Sequence, residues 1–182
     1  MEDKIVYFEK PGKGNTTELI QLVKERAQAR GINRFVVAST RGATATDFLE
    51  AVTGTEHRLV IVPWQFGFKG EDQPFPQELV NELRAKNHQV HFGTMLFHTG
   101  DFYGTGAPQS MASLLRTFGQ GTKVCLEILL MACDGGCIRI GEKVIAVAGT
   151  GSGADTALVA TAGPTTRLGS LRIHEIICKP VM

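Results

Sequence analysis

The segment Ala38-Ser-Thr-Arg-Gly-Ala-Thr-Ala-Thr46 holds the residue types that grip an anion: hydroxyls at Ser39, Thr40 and Thr44, a guanidinium at Arg41, and a glycine at Gly42. It follows a short apolar run and precedes an apolar-periodic one, so it falls between a strand and a helix N-terminus. There, main-chain N–H groups without helical partners and the positive dipole end favour phosphate, and an arginine fork adds charge-assisted hydrogen bonds. The same pattern also describes an N-capped helix whose hydroxyls satisfy only their own backbone. A second candidate is Gly149-Thr150-Gly151-Ser152-Gly153-Ala154-Asp155, with glycines on alternate residues after a β-like run. A dinucleotide fingerprint would open a helix here, whereas Thr156 to Ala162 reads as a strand, so a Rossmann assignment is rejected. An anion-binding nest of amides and a flexible hairpin turn both remain open.

Trp64, Phe66 and Phe68 put aromatic rings on one loop and could stack a planar ligand or anchor the loop. His98 and Asp101 are the candidates for acid/base work beside a ligand. The five histidines show no H-E-x-x-H spacing, so no metal site is expected. Cys133 and Cys137 flank Asp134-Gly-Gly136 without a second pair, which suits buried thiols better than zinc. Glu127 interrupts an apolar stretch and needs a partner if buried, with Lys123 one turn back or Arg116 to supply it.

These residues require a scaffold. Leu19, Ile20, Leu22, Val23 and Ala27 predict a helix over 15–30, started by Asn15 or Thr16 and stopped by Gly31. Strands are expected at Phe35–Ala38, Arg58–Val62 and Gln89–Phe92, with helices at Ala45–Val52 and from Pro76 to about Lys86. Alternation of this kind implies a parallel, doubly wound sheet with helices on both faces. Gly93–Gln109 lacks periodicity and reads as a long loop or lid. Ser110–Phe118 reads as a short amphipathic helix and Val124–Ala132 as a buried one. Strands at Lys143–Ala148, Thr156–Ala162 and Leu171–Ile177 close the chain, and the loop between the first two predicts a mixed sheet with an antiparallel edge strand.

Composition agrees with one domain spanning 1–182. Hydrophobic residues make up 43% and charged residues 20%, an ordinary globular balance. Nineteen Lys and Arg against eighteen Asp and Glu give a net charge of +1, so broad salt-driven nucleic-acid binding is not expected. The opening residues lack a signal-peptide core, and the longest apolar stretch, Ile128–Cys133, is far short of the ~20 residues a membrane span requires. A cytoplasmic protein with no membrane partner and reduced cysteines is the expectation.

The chain resembles the C-terminal domain of pyruvate kinase and, more closely, a family of small stand-alone pyruvate kinase α/β-domain-like proteins. The resemblance rests on Tyr7-Phe-Glu-Lys-Pro-Gly-Lys-Gly-Asn-Thr16, Ala38-Ser-Thr-Arg-Gly-Ala-Thr-Ala45, Phe118-Gly-Gln-Gly-Thr-Lys-Val-Cys-Leu-Glu127, Gly149-Thr-Gly-Ser-Gly-Ala-Asp-Thr-Ala157 and Glu175-Ile-Ile-Cys-Lys-Pro180. It implies a three-layer α/β/α sandwich on a mostly parallel mixed sheet of about five strands. It also implies that both glycine-rich loops lie at one sheet edge and serve one small phosphorylated ligand. A flavin mononucleotide (FMN) or a phosphorylated metabolite would suit them. Phosphoryl transfer from phosphoenolpyruvate is not implied, because this chain is too short to carry the catalytic barrel. The regulatory role of the resembled domain implies an alternative, a homo-oligomeric interaction module without catalysis.

Overall fold

The computed structural model describes residues 3–181. One seven-stranded sheet, in the order β1-β7-β6-β5-β2-β3-β4, runs through the molecule. Its strands are β1 (Val6–Phe8), β2 (Arg34–Ala38), β3 (Arg58–Val62), β4 (Gln89–Val90), β5 (Lys143–Ala148), β6 (Thr156–Thr161) and β7 (Arg172–Pro180). The helices are α1 (Thr16–Arg30), α2 (Ala43–Val52), α3 (Gln77–Ala85), α4 (Gly100–Tyr103), α5 (Ala107–Arg116) and α6 (Gln120–Asp134). Among the described residues no helix is long and apolar enough to cross a membrane.

The central strands are buried on both faces, which explains their nearly continuous apolar runs. Phe35, Val37, Leu59, Ile61, Ile145 and Val147 face a core completed by α1, α2 and α3. Val36, Val60, Val144, Ala146 and Leu158 face a second core completed by α6. The expectation of a mostly parallel sheet with helices on both faces is met, in three layers. Helix α1 ends as expected: Gly31 takes a left-handed conformation (φ 62°) and donates its N–H to the carbonyls of Ala27 and Gln28. Asn15 caps nothing with its side chain; its amide instead donates to the carbonyls of Lys10 and Gly12.

Four expectations need correction. Seven strands are found where about five were implied: five longer strands lie between two short edges, β1 of three residues and β4 of two. The antiparallel strand is not at an edge. β6 pairs antiparallel with both β5 and β7, and β7 then pairs in parallel with β1, which no local pattern announces because Val6–Phe8 acquires its partner from the far end of the chain. The strand expected at Gln89–Phe92 stops at Val90, where pairing with β3 ends. The long loop expected over Gly93–Gln109 contains a 3-10 turn at Leu96–His98, all of α4 and the start of α5.

Candidate functional site

The chain reverses its direction of travel across the sheet at β2. From β2 it moves outward through α2 to β3 and through α3 to β4, with both crossovers on one face. It then returns by way of α6 on the other face to β5, on the opposite side of β2. β2 and β5 are parallel neighbours with Val37 opposite Val147, so the chain leaves Ala38 and Ala148 side by side at the carboxyl edge. This is the topological switch point of an open α/β sheet, the position at which such sheets characteristically open a crevice. The first turn of α2 borders it from one layer. The first turn of α6 borders it from the other: a Cβ on Gly121 would lie 2.1 Å from Thr156 Oγ1 and 3.1 Å from Asp155 Oδ1, so only glycine lets the helix start so close to the loop.

In the loop after β2, two of the five singled-out residues have local structural work. The buried Ser39 hydroxyl accepts the Ala45 N–H at 3.2 Å, and the Ser39 N–H is donated to Val62 at 3.3 Å. Gly42 has φ 95°, and a Cβ there would lie 2.9 Å from Leu79 Cδ2, so α3 packs directly on it. Thr44 is buried in the first turn of α2. Thr40 is half-buried and Arg41 is exposed; they lie beside the amides of Ala43 and Thr44, which have no acceptor inside the helix.

The loop after β5 is organised around Asp155, which is 0% exposed. Its Oδ2 accepts the N–H of Gly12 at 2.8 Å and of Thr150 at 3.0 Å, and its Oδ1 accepts the Thr156 hydroxyl at 2.8 Å. The Ala154 N–H donates to Thr16 Oγ1 at 3.0 Å. A Cβ on Gly149 would lie 2.3 Å from the Gly153 carbonyl oxygen, and one on Gly153 (φ 69°) would lie 2.3 Å from the Lys13 Cα. Those glycines allow the loop to curl on itself and press against the start of α1. An internal carboxylate therefore already takes one of the amides that an anion would use. Gly151 and Ser152 remain exposed at the mouth, Thr150 is half-buried, and the exposed Lys13 backs onto Gly153.

The aromatic residues do not form a single platform. Trp64 and Phe68 meet edge to face at 5.1 Å and pack on the α6 side, with Lys69 Nζ 5.1 Å from the Trp64 ring. Phe66 is exposed and pairs with Phe92, which packs on the opposite core. Phe68 also meets the His98 ring at 4.8 Å.

His98 belongs to a constellation on α6. Lys123 and Glu127, exposed by only 1% and 2%, pair at 2.5 Å. Glu127 also accepts the Phe97 N–H at 2.9 Å. Lys123 Nζ lies 3.3 Å from His98 Nε2 and 5.1 Å from the centre of the Phe97 ring. Facing an ammonium, Nε2 serves as the acceptor, which puts the ring proton on Nδ1. Burial of that inner ring edge, then the Lys123 charge, lower the His98 pKa against a smaller opposing pull from Glu127. The His98 residue is otherwise exposed. Asp101 lies exposed on α4, and no hydrogen bond joins it to His98 among the described residues.

Among the described residues no three His, Cys, Asp or Glu side chains gather to hold a metal ion. All four cysteines are free thiols; Cys125, Cys133 and Cys178 are buried and Cys137 is half-buried. Burial raises Cys125 well above the ordinary thiol range and Cys178 to about 12, which keeps both protonated and inert. Two clefts, of about 480 and 450 Å³, open at the amino edge, one lined by Arg30, Lys143 and Glu175 and the other by Gln21, Lys24 and His57. Neither touches the switch point between β2 and β5.

Three participants at the carboxyl edge were not singled out from the sequence: Asp155, Lys13 and the first turn of α6. Asp155 had a readable signal, being the only acid in a small-residue loop between two apolar strands. The Lys123–Glu127 pair was legible as an i, i+4 couple in an apolar helix, and its link to His98 was not. No family model matches the chain.

Proposed function

We propose that the carboxyl edge between β2 and β5 binds a small phosphate-bearing molecule, either FMN or a phosphorylated metabolite. The observation that carries this reading is the side-by-side exit of two small-residue loops at the switch point, with the first turns of α2 and α6 on either side. Arg41, Thr40 and the first-turn amides of α2 would hold the phosphate, with Gly151 and Ser152 contributing from the second loop. Trp64 and Phe68 would meet an apolar or planar portion. The resemblance to the stand-alone pyruvate kinase C-terminal-domain-like family supports the same reading and carries no phosphoryl transfer with it. His98, neutral and presenting Nδ1–H outward, is the residue suited to exchange a proton with such a ligand, and Lys123 is its positioning residue.

Calorimetry with FMN, sugar phosphates and inorganic phosphate tests the reading, together with an absorbance scan for copurifying flavin. Binding that is lost in the Thr40→Ala, Arg41→Ala double variant is expected. Absence of binding by every such compound, or binding indifferent to those substitutions, overturns it.

A further inference from the structure

Helix α5 shows its apolar residues to solvent. Ala112 is its only buried residue, whereas Met111, Leu114 and, just past its end, Phe118 are exposed at helical spacing. α4 packs against the start of α5, and its Phe102 and Tyr103, in contact at 5.0 Å, are exposed too. Exposure of these five residues runs from 46% at Met111 to 84% at Phe102. From Phe102 to Leu115, fourteen residues, there is no Asp, Glu, Lys or Arg. A solvated helix of this chain looks different: α1 carries Glu18, Lys24, Glu25, Arg26 and Arg30.

Scaled by the area of such side chains, the five exposed residues offer on the order of 500 Å² of apolar surface. That is at the upper end of the roughly 300–600 Å² patch that a lone protein shows. With the polar rim of Thr105, Gln109 and Ser113 it approaches the roughly 800 Å² per partner of a stable interface.

We propose that the α4–α5 face is a two-fold interface with a second copy of this chain. Charge placement argues for a like partner. The uncharged stretch is bounded by Asp101 at one end and Arg116 at the other, both exposed. Laying α5 antiparallel on its symmetry mate brings the acidic end of each copy to the basic end of the other, so one surface is complementary to itself. Arg116 already donates to Gln120 through Nε at 2.7 Å, which leaves the other guanidinium nitrogens for a carboxylate across the interface. This inference is independent of the proposed ligand site.

Sedimentation equilibrium of the whole chain at micromolar concentration tests it. A mass twice the 19.7 kDa monomer is expected, with Leu114→Glu and Phe118→Glu each weakening association roughly tenfold or more. Asp101→Arg and Arg116→Asp should each weaken it, and the combined swap should restore it. Far-UV circular dichroism verifies folding; if either glutamate variant fails that test, Leu114→Gln with Phe118→Ser replaces it, since both positions face solvent. A monomer at all concentrations, a dimer indifferent to Leu114 and Phe118, or a charge swap that restores nothing overturns the proposal. So does a monomer that uses this face to bind phosphatidylcholine–phosphatidylglycerol vesicles.

Discussion

The two small-residue loops at the carboxyl edge look alike in sequence and are built on different physics. After β5, Asp155 gathers the amides of Gly12 and Thr150 and the hydroxyl of Thr156, and the flanking glycines exist because backbone lies against backbone. After β2, the exposed Arg41 and the half-buried Thr40 lie next to helix amides with no helical acceptor. Glycine density alone therefore does not mark an anion site. A loop whose amides are taken by its own carboxylate is a joint, whereas one that ends in helix amides without helical acceptors beside an exposed cation keeps the composition expected of an anion receptor.

Substitutions should separate the two loops by stability against affinity. Asp155→Ala leaves two amides and a hydroxyl without their acceptor and should cost about 3 kcal/mol or more, read by chemical denaturation. Little loss would mean that the joint is not held as described. Gly153→Ala combines a left-handed φ with a Cβ 2.3 Å from the Lys13 Cα and should cost roughly 2 kcal/mol. Gly151→Ala, with φ 80° and open space around it, should cost about 1 kcal/mol. Arg41→Ala should change stability by less than about 0.5 kcal/mol while weakening a phosphate ligand roughly tenfold in calorimetry. If the effects of Arg41→Ala and Asp155→Ala are interchanged, the contrast between the loops is wrong.

The smallest effect is a pH dependence in which neither loop takes part. Burial lowers the pKa of His57, His88, His91 and His98. Below about pH 6.5 the unfolded chain therefore binds more protons than the folded one, and stability falls as pH drops through that range. Replacing His98 with Asn should make the slope shallower, whereas Arg41→Ala should leave it unchanged. Thermal melts from about pH 7.5 down to about pH 5.5, a window around the ordinary histidine value, would show both.

The α/β alternation was legible because each central strand is an unbroken apolar run and each covering helix carries its own stripe, as Leu19, Val23 and Ala27 do on α1. The edges were not. β1 is defined by a partner more than 170 positions away, with Val6 opposite Cys178, and β4 is too short to show a period. At the site, the residue types of the first loop could be read, and so could a partner for Glu127. The dual role of Ser39 and Gly42 as cap and packing contact, and the capture of Gly12 by Asp155, depend on distances that no local window contains.

The pairing of β1 with β7 also carries a consequence for assembly. As the polypeptide emerges from the ribosome, its opening strand has no hydrogen-bonding mate until the closing one has been made, and Gly12 waits for a carboxylate 143 positions ahead. Such distant closures are slow to form. The edge where β1 meets β7 is thus the last part of the architecture to be finished during synthesis, and a chain stopped short of Cys178 would have its central strands but not that edge.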